Sequence, residues 1–304
     1  MSLSPAEYRE HLAATAVRAG FDFPGVVLPE EGDVQVGDLR MHYLDWGNKH
    51  LPPIVFLHGG ALTAHTWDLV CLALRDEYRC IAPDQRGHGD TDWAPDGDYS
   101  IAAALRDTTG FVDKLGLDRF ILVGMSLGAI NSLAFAISQP ERLTHLVIID
   151  AGPEMRRPGS SRIRDFVNSV QETVTVEAII EKAMKFNPRR DPTILRRSLM
   201  HNLRRQPDGT WKWKYDTRRF QALSQDSHRA DRARLAEGLG RITCPTLVVR
   251  GGESDVFHEE DGISLAHRLP NGRFVTVPRA GHTVQGDNPK DLVAELRRFL
   301  KPAS

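Results

Sequence analysis

The residue in this chain best suited to chemistry is Ser126, set between two glycines in Gly124-Met125-Ser126-Leu127-Gly128. The apolar run Phe120-Ile121-Leu122-Val123 precedes it and reads as a buried strand; residues 127–139 follow it with helical patterning. Between them the chain must turn sharply, and small neighbours let the backbone pass close while the hydroxyl projects from the end of a sheet. A hydroxyl held there can attack a carbonyl carbon. Serine is a weak nucleophile near neutral pH, so the reading requires a base, usually histidine, and a carboxylate that fixes the tautomer of that base.

Of the twelve histidines, His282 has the best position, in Ala280-Gly281-His282-Thr283 just beyond the last strand-like run. Asp255, in Gly251-Gly252-Glu253-Ser254-Asp255, is the expected acid, because it also follows a strand and gives the order serine, aspartate, histidine. Glu253 and Asp150, each near the end of a strand, compete for that role. An oxyanion needs N–H donors. The backbone of Leu127, at the start of a helix, offers one, and Gly60 in His58-Gly59-Gly60-Ala61 is expected to offer the second, with Ala61 as the alternative. His58 is expected to brace that loop. Leu62, Trp67 and Met125 are the expected apolar neighbours of a substrate.

These positions need a scaffold that collects strand ends. An N-terminal helix over 5–18 and a hairpin across Gly37-Asp38 come first. Apolar runs at 54–57, 80–82, 120–123 and 146–149 follow, mostly separated by helical patterns, and this alternation predicts a parallel α/β sheet. It stops at Asp150-Ala151-Gly152-Pro153 and resumes at Cys244-Pro245-Thr246. The stretch 153–235 holds 19 Lys and Arg against 10 Asp and Glu, a net charge of +9 that leaves −10 for the rest of a chain totalling −1. That shift predicts a helical cap over 153–235, inserted after the sixth strand into a core made of 1–152 and 236–304, with 1–30 as an N-terminal extension. A run at 274–277 and a helix from Pro289 to about Leu300 close the core.

Taken together, His58-Gly59-Gly60, Asp84-Gln85-Arg86-Gly87-His88-Gly89, Gly124-Met125-Ser126-Leu127-Gly128, Gly252 with Asp255, and Gly281-His282 resemble the α/β-hydrolase superfamily, in the capped form that includes carboxylesterases, carbon–carbon bond hydrolases, perhydrolases and epoxide hydrolases. The resemblance spans most of the chain. It implies a mostly parallel, twisted sheet flanked by helices, and an ion-paired scaffold in the loop carrying Asp84, Arg86 and His88. Dehalogenases and most epoxide hydrolases of that superfamily carry an aspartate where this chain has Ser126. Carbon–carbon hydrolases usually carry a second glycine after the first and an aromatic after the histidine, where this chain has Ala129 and Thr283. The expected activity is therefore cofactor-independent cleavage of a carboxylic ester in a small organic molecule, through an acyl-enzyme. Carbon–carbon cleavage, lactone hydrolysis or perhydrolysis by the same residues is the alternative reaction, and a non-catalytic ligand receptor the alternative of another class.

The remaining signals have plainer readings. The three cysteines, Cys71, Cys80 and Cys244, lack metal or disulfide spacing, and residues 1–20 lack the apolar core of a signal peptide, so a cytoplasmic setting is expected. The near-neutral charge and the lack of a long apolar run give no reason to expect nucleic acid or a membrane as partner; a homodimer is the candidate assembly. His258-Glu259-Glu260-Asp261 reads as a solvated helix start and not as a metal site. The pairs Arg189-Arg190, Arg196-Arg197, Arg204-Arg205 and Arg218-Arg219 read as solvated helix faces in preference to a device that steers anions. Trp211-Lys212-Trp213-Lys214-Tyr215 reads as a short extended segment packing over the site.

Overall fold

A computed structural model of the protein describes residues 4–154, 175–186, 190–218 and 225–301. Its centre is an eight-stranded sheet built from β1 (Glu30–Val36), β2 (Leu39–Asp45), β3 (Pro53–Leu57), β4 (Arg79–Pro83), β5 (Phe120–Met125), β6 (Leu143–Ile149), β9 (Thr246–Gly251) and β10 (Gly272–Val277), in the order β1-β2-β4-β3-β5-β6-β9-β10. The β1–β2 and β2–β4 pairs are antiparallel and every later pair is parallel. The short apolar runs form strands because both faces of the sheet are covered: all six residues of β5 are buried. Side chains alternate between two apolar layers, with Ile54, Phe56, Val123, Val147 and Val249 in one and Val55, Leu57, Leu122, Ile148 and Val248 in the other.

The first layer packs against α1 (Pro5–Arg18), α2 (Asp68–Leu74) and α10 (Pro289–Leu300), and the second against α3 (Ile101–Lys114), α4 (Leu127–Ser138) and α8 (Glu259–Arg268). Local sequence starts several of these helices. Ser4 and Glu7 form a reciprocal cap on α1, Ser100 caps α3, and Asn288 caps α10 ahead of Pro289. The strand order reverses between β3 and β5, so the loops leaving those two strands diverge and open a crevice at the carboxyl edge of the sheet. Ser126 and His58-Gly59-Gly60 both lie there.

Between β6 and β9 the chain runs through α5 (Val176–Phe186), α6 (Pro192–Asn202), a two-stranded ribbon of β7 (Leu203–Arg205) and β8 (Trp211–Trp213), and α7 (Gln225–Gly238). The predicted extended segment at 211–215 is this β8, followed by a bridge from Tyr215 to His88. A separate apolar cluster, including Ile179, Ala183, Leu195, Leu199, Leu203, Trp213 and Tyr215, unites α5, α6 and the ribbon. The expected boundary at 235 falls inside α7, whose Leu235 packs in the core layer beside α4, as does Leu239 just after it. Residues 155–174 of the expected cap, together with Arg189 and Arg219 of the expected arginine pairs, lie outside the described residues. No helix among the described residues is long and apolar enough to cross a membrane.

Candidate active site

Ser126 sits on the turn from β5 to α4 with φ 54° and ψ −111°, a backbone conformation that side chains rarely adopt. Its glycine neighbours explain how the turn closes. A Cβ on Gly124 would lie 2.3 Å from the Gly128 carbonyl oxygen, and one on Gly128 would lie 2.1 Å from that of Leu57. Helix α4 can therefore pack directly on β3 and β5 only if both positions lack a side chain. The Ser126 N–H donates to the Ile149 carbonyl at 3.0 Å, tying the turn to the end of β6.

His282 reaches Ser126 from the loop after β10. Its Nε2 lies 2.9 Å from Ser126 Oγ, and its Nδ1 lies 2.7 Å from Asp150 Oδ2. A carboxylate only accepts, so Nδ1 carries the proton and Nε2 is left to accept from the serine hydroxyl. His282 is 14% exposed and Asp150 has no exposed side-chain surface. The carboxylate on His282 is thus Asp150 and not the expected Asp255, which is an exposed residue. The reason is the path of the chain after β9. Gly252 and Glu253 donate their N–H groups to the Val277 and Ala280 carbonyls, which turns Ser254 inward. Ser254 Oγ then donates to Asp150 Oδ2 at 2.5 Å, and the Gly251 N–H donates to Oδ1 at 2.8 Å. This segment supplies donors that support the carboxylate, and the carboxylate itself comes from the end of β6, where Asp150 has φ 51°. Such donors offset the cost of burying the charge.

The loop after β3 is set by His58. Its Nε2 accepts from the Gln85 N–H at 2.9 Å, so Nδ1 bears hydrogen and donates to the Gly59 carbonyl at 2.8 Å. The Leu62 N–H donates to the same carbonyl at 3.2 Å. In a trans peptide C=O and N–H point in opposite directions, so the Gly60 N–H faces away from both donors. A Cβ on Gly59 would lie 3.4 Å from Ser126 Cβ, which places this loop against the serine. Leu127, the first residue of α4, has an N–H with no acceptor within the helix. Gln85 also bonds the His58 carbonyl through Nε2 at 2.6 Å and accepts from Asn131 Nδ2 at 2.7 Å, a buried brace that sequence reading does not single out.

Of the expected apolar neighbours, Leu62 is half-buried against the first core layer. Met125 is buried beside Gly59, with Sδ 2.7 Å from where a Gly59 Cβ would be. Trp67 has no exposed surface and packs its ring 5.1 Å from that of Phe56, so it belongs to the core below the site and not to an open wall.

A family model described as "Alpha/beta hydrolase family" matches residues 54–296. The chain belongs to that family. It is 32% identical over 297 residues to the esterase Rv0045c of Mycobacterium tuberculosis, covering 95% of this chain and 94% of the relative. The crystal structure of that esterase superposes with a TM-score of 0.77 at 30% identity, covering 98% and 99% of the two chains. The sn-1-specific diacylglycerol lipase ABHD11 of Mus musculus is 28% identical over 279 residues, 89% of this chain and 88% of the relative. The fold alone is shared with E-2-(acetamidomethylene)succinate hydrolase, with a TM-score of 0.77 at 23% identity over 90% of this chain and 99% of that one. The protein is accordingly an esterase-like member of a hydrolase family.

Two further clusters flank the site. Asp84, expected in an ion-paired scaffold, accepts from the Ala64 and Asp90 N–H groups and from His42 Nδ1 at 2.9 Å. Burial opposes the charged form of His42, but hydrogen bonds to Asp84 and Glu31 outweigh it and push its pKa up to about 10. Burial likewise opposes the Asp84 carboxylate, and His42 holds its pKa well below the ordinary value. Arg86 pairs with Asp107, and His88 Nδ1 lies 2.9 Å from the Arg86 carbonyl oxygen. The second cluster joins three regions. Asp68 of α2 accepts from Tyr8 of α1 at 2.7 Å and from Arg197 of α6, while His201 of α6 stacks on His65 with ring centroids 3.7 Å apart. Burial would raise the pKa of Asp68, and the charges of Arg197 and His65 bring it below its usual range. Burial and the same two neighbours hold His201 neutral, far below its ordinary pKa. His65, Asp68 and His201, and likewise His42, Asp84 and Asp90, come close enough to bind a metal ion. Both groupings already contain a cation on the carboxylate, Arg197 in one and charged His42 in the other, which a divalent ion would have to face.

Proposed function

We propose that the protein is a serine hydrolase that cleaves a carboxylic ester of a small organic molecule through an acyl-enzyme. The observation that carries this reading is the unbroken relay from Ser126 Oγ through His282 to Asp150, at 2.9 and 2.7 Å, in a chain 32% identical to an esterase. His282 Nε2 takes the hydroxyl proton as Ser126 attacks the carbonyl carbon, and the N–H groups of Leu127 and Gly60 hold the oxyanion. The tetrahedral species collapses, breaking the bond to the alkoxide, which leaves as the alcohol with the proton from His282. Water then gives its proton to His282 and attacks the acyl carbon; Ser126 departs with that proton and the acid is released. Asp150 stabilises the imidazolium throughout and keeps its own charge. Residues 176–186 and 190–218 form the roof of the site, and Leu62 and Met125 border the substrate.

A fluorophosphonate probe, followed by peptide mass analysis, tests the nucleophile: modification at Ser126 is expected, and native protein without it would overturn the reading. A panel of aryl and alkyl esters, lactones and vinylogous diketones tests the bond. The esters are expected to turn over fastest; a diketone preferred over every ester would replace ester hydrolysis with carbon–carbon cleavage.

A further inference from the structure

Helix α9 (Val284–Asp287) begins two residues after His282 and closes the loop that carries it. Asp287 fastens both ends of this loop. Its Oδ2 accepts the Gly281 N–H at 3.0 Å, while its own N–H donates to the Thr283 carbonyl at 2.9 Å. His282 therefore sits on a small arc whose shape depends on where the Asp287 carboxylate lies.

That carboxylate is held from the inserted segment. Arg190, just before α6, places Nε 2.8 Å and Nη2 2.6 Å from Asp287 Oδ1, and each of the two side chains is only 9% exposed. The room for the guanidinium comes from Gly286, where a Cβ would stand 3.0 Å from Arg190 Nη2 and 3.3 Å from Cζ. A second tie, from Gln285 Nε2 to Thr66 Oγ1 at 2.9 Å, joins the same arc to the loop after β3. A buried two-donor contact of this kind fixes direction as well as distance.

We propose that Arg190 is a positioning residue for the base: by orienting Asp287 it sets the arc of Gly281 to Asp287 and keeps His282 aligned between Ser126 and Asp150. The inserted segment then does more than cover the substrate. When it docks, it completes the catalytic geometry, so acylation is coupled to the seating of the segment. The inference rests on the proposed roles of Ser126 and His282, and the wild-type protein checks those separately through its labelling by a fluorophosphonate.

The test compares Arg190→Gln, Arg190→Lys, Asp287→Asn and the double variant Arg190→Gln/Asp287→Asn with wild type. The measurements are steady-state hydrolysis of p-nitrophenyl acetate, the rate of fluorophosphonate labelling at Ser126, and the NMR signal of the His282 Nδ1 proton shared with Asp150. Misplacing a reacting group by about 1 Å costs on the order of 100-fold. Arg190→Gln and Asp287→Asn are therefore each expected to lower kcat and the labelling rate by about 10- to 100-fold with little change in KM, and to broaden or move the His282 proton signal. The double variant should lose little beyond either single one, and Arg190→Lys should recover part of the rate. If the single variants keep wild-type kcat, labelling rate and His282 signal, or change KM alone, Arg190 does not position the base. If only one variant folds, as judged by its thermal transition, that variant decides by the same criteria.

Discussion

The sheet core and the inserted segment are held in place by different means. At the carboxyl edge of the sheet, position follows from backbone. Strand ends β5 and β6 and the loop after β10 bring Ser126, Asp150 and His282 together, through main-chain hydrogen bonds and glycines that allow contact at van der Waals range. The inserted segment has its own apolar cluster, and beside main-chain hydrogen bonds from residues 214–216 to Gly87 and Gly89 it meets the core through charged side chains: Arg190 with Asp287, Arg197 with Asp68, and Arg204 and Lys214 with Asp90. The positive charge of this segment is thus matched to carboxylates of an acidic core. The serine, histidine and aspartate thus stand on strand ends, and the inserted segment is fastened in good part by buried and exposed ion pairs.

The contrast can be broken most severely from the core side. Gly128→Ala directs a Cβ at the Leu57 carbonyl oxygen, which a β-strand cannot move aside, so α4 must shift and take Ser126 with it. A fall in kcat/KM of at least about 100-fold is expected in ester kinetics. Retention of activity within a few-fold would show that the turn has slack.

On the side of the inserted segment, Arg197→Met leaves the fully buried Asp68 without its arginine. Chemical denaturation should record a loss of about 3–5 kcal/mol, with a smaller effect on the kcat of the folded enzyme. Arg204→Ala, at a half-exposed pair, should cost no more than about 1 kcal/mol. Equal effects from the two would remove the distinction between a buried clamp and a surface one.

A smaller and pH-dependent effect is expected at His201. Its folded pKa lies below the unfolded value of about 6.5, so the unfolded state binds the extra proton first. The associated stability is present above pH 6.5 and falls as pH drops below it, by up to about 1.4 kcal/mol per pH unit. Denaturation of wild type and His201→Asn between pH 7.5 and 5 should show a shallower slope in the variant; identical slopes would assign the acid sensitivity elsewhere.

What the sequence disclosed follows the same division. Ser126 was legible because the strand, the small flanking residues and the helix are all local, and His282 because it follows the last strand. The carboxylate in contact with His282 was less so. Asp150, Glu253 and Asp255 all follow buried strands, and their choice depends on how residues 251–254 fold back, with Ser254 turned inward and Asp255 outward. Trp67, an expected apolar neighbour of the substrate, is carried by a short helix that places its ring in the core. The arginine pairs misled in a similar way. In Arg196-Arg197 one side chain is exposed near Glu177 and the other is buried on Asp68, 129 residues away in the chain. Helical patterning can mark an arginine as lying on a polar face, but it carries no information about which distant carboxylate meets that face.

Steady-state ester hydrolysis by Asp150→Asn and Asp255→Asn, measured together, decides which carboxylate supports the base. The relay from Ser126 through His282 to Asp150 predicts a loss in kcat of about 10⁴-fold for Asp150→Asn and a change within about threefold for Asp255→Asn. The opposite pattern, with Asp150→Asn active and Asp255→Asn disabled, would contradict it.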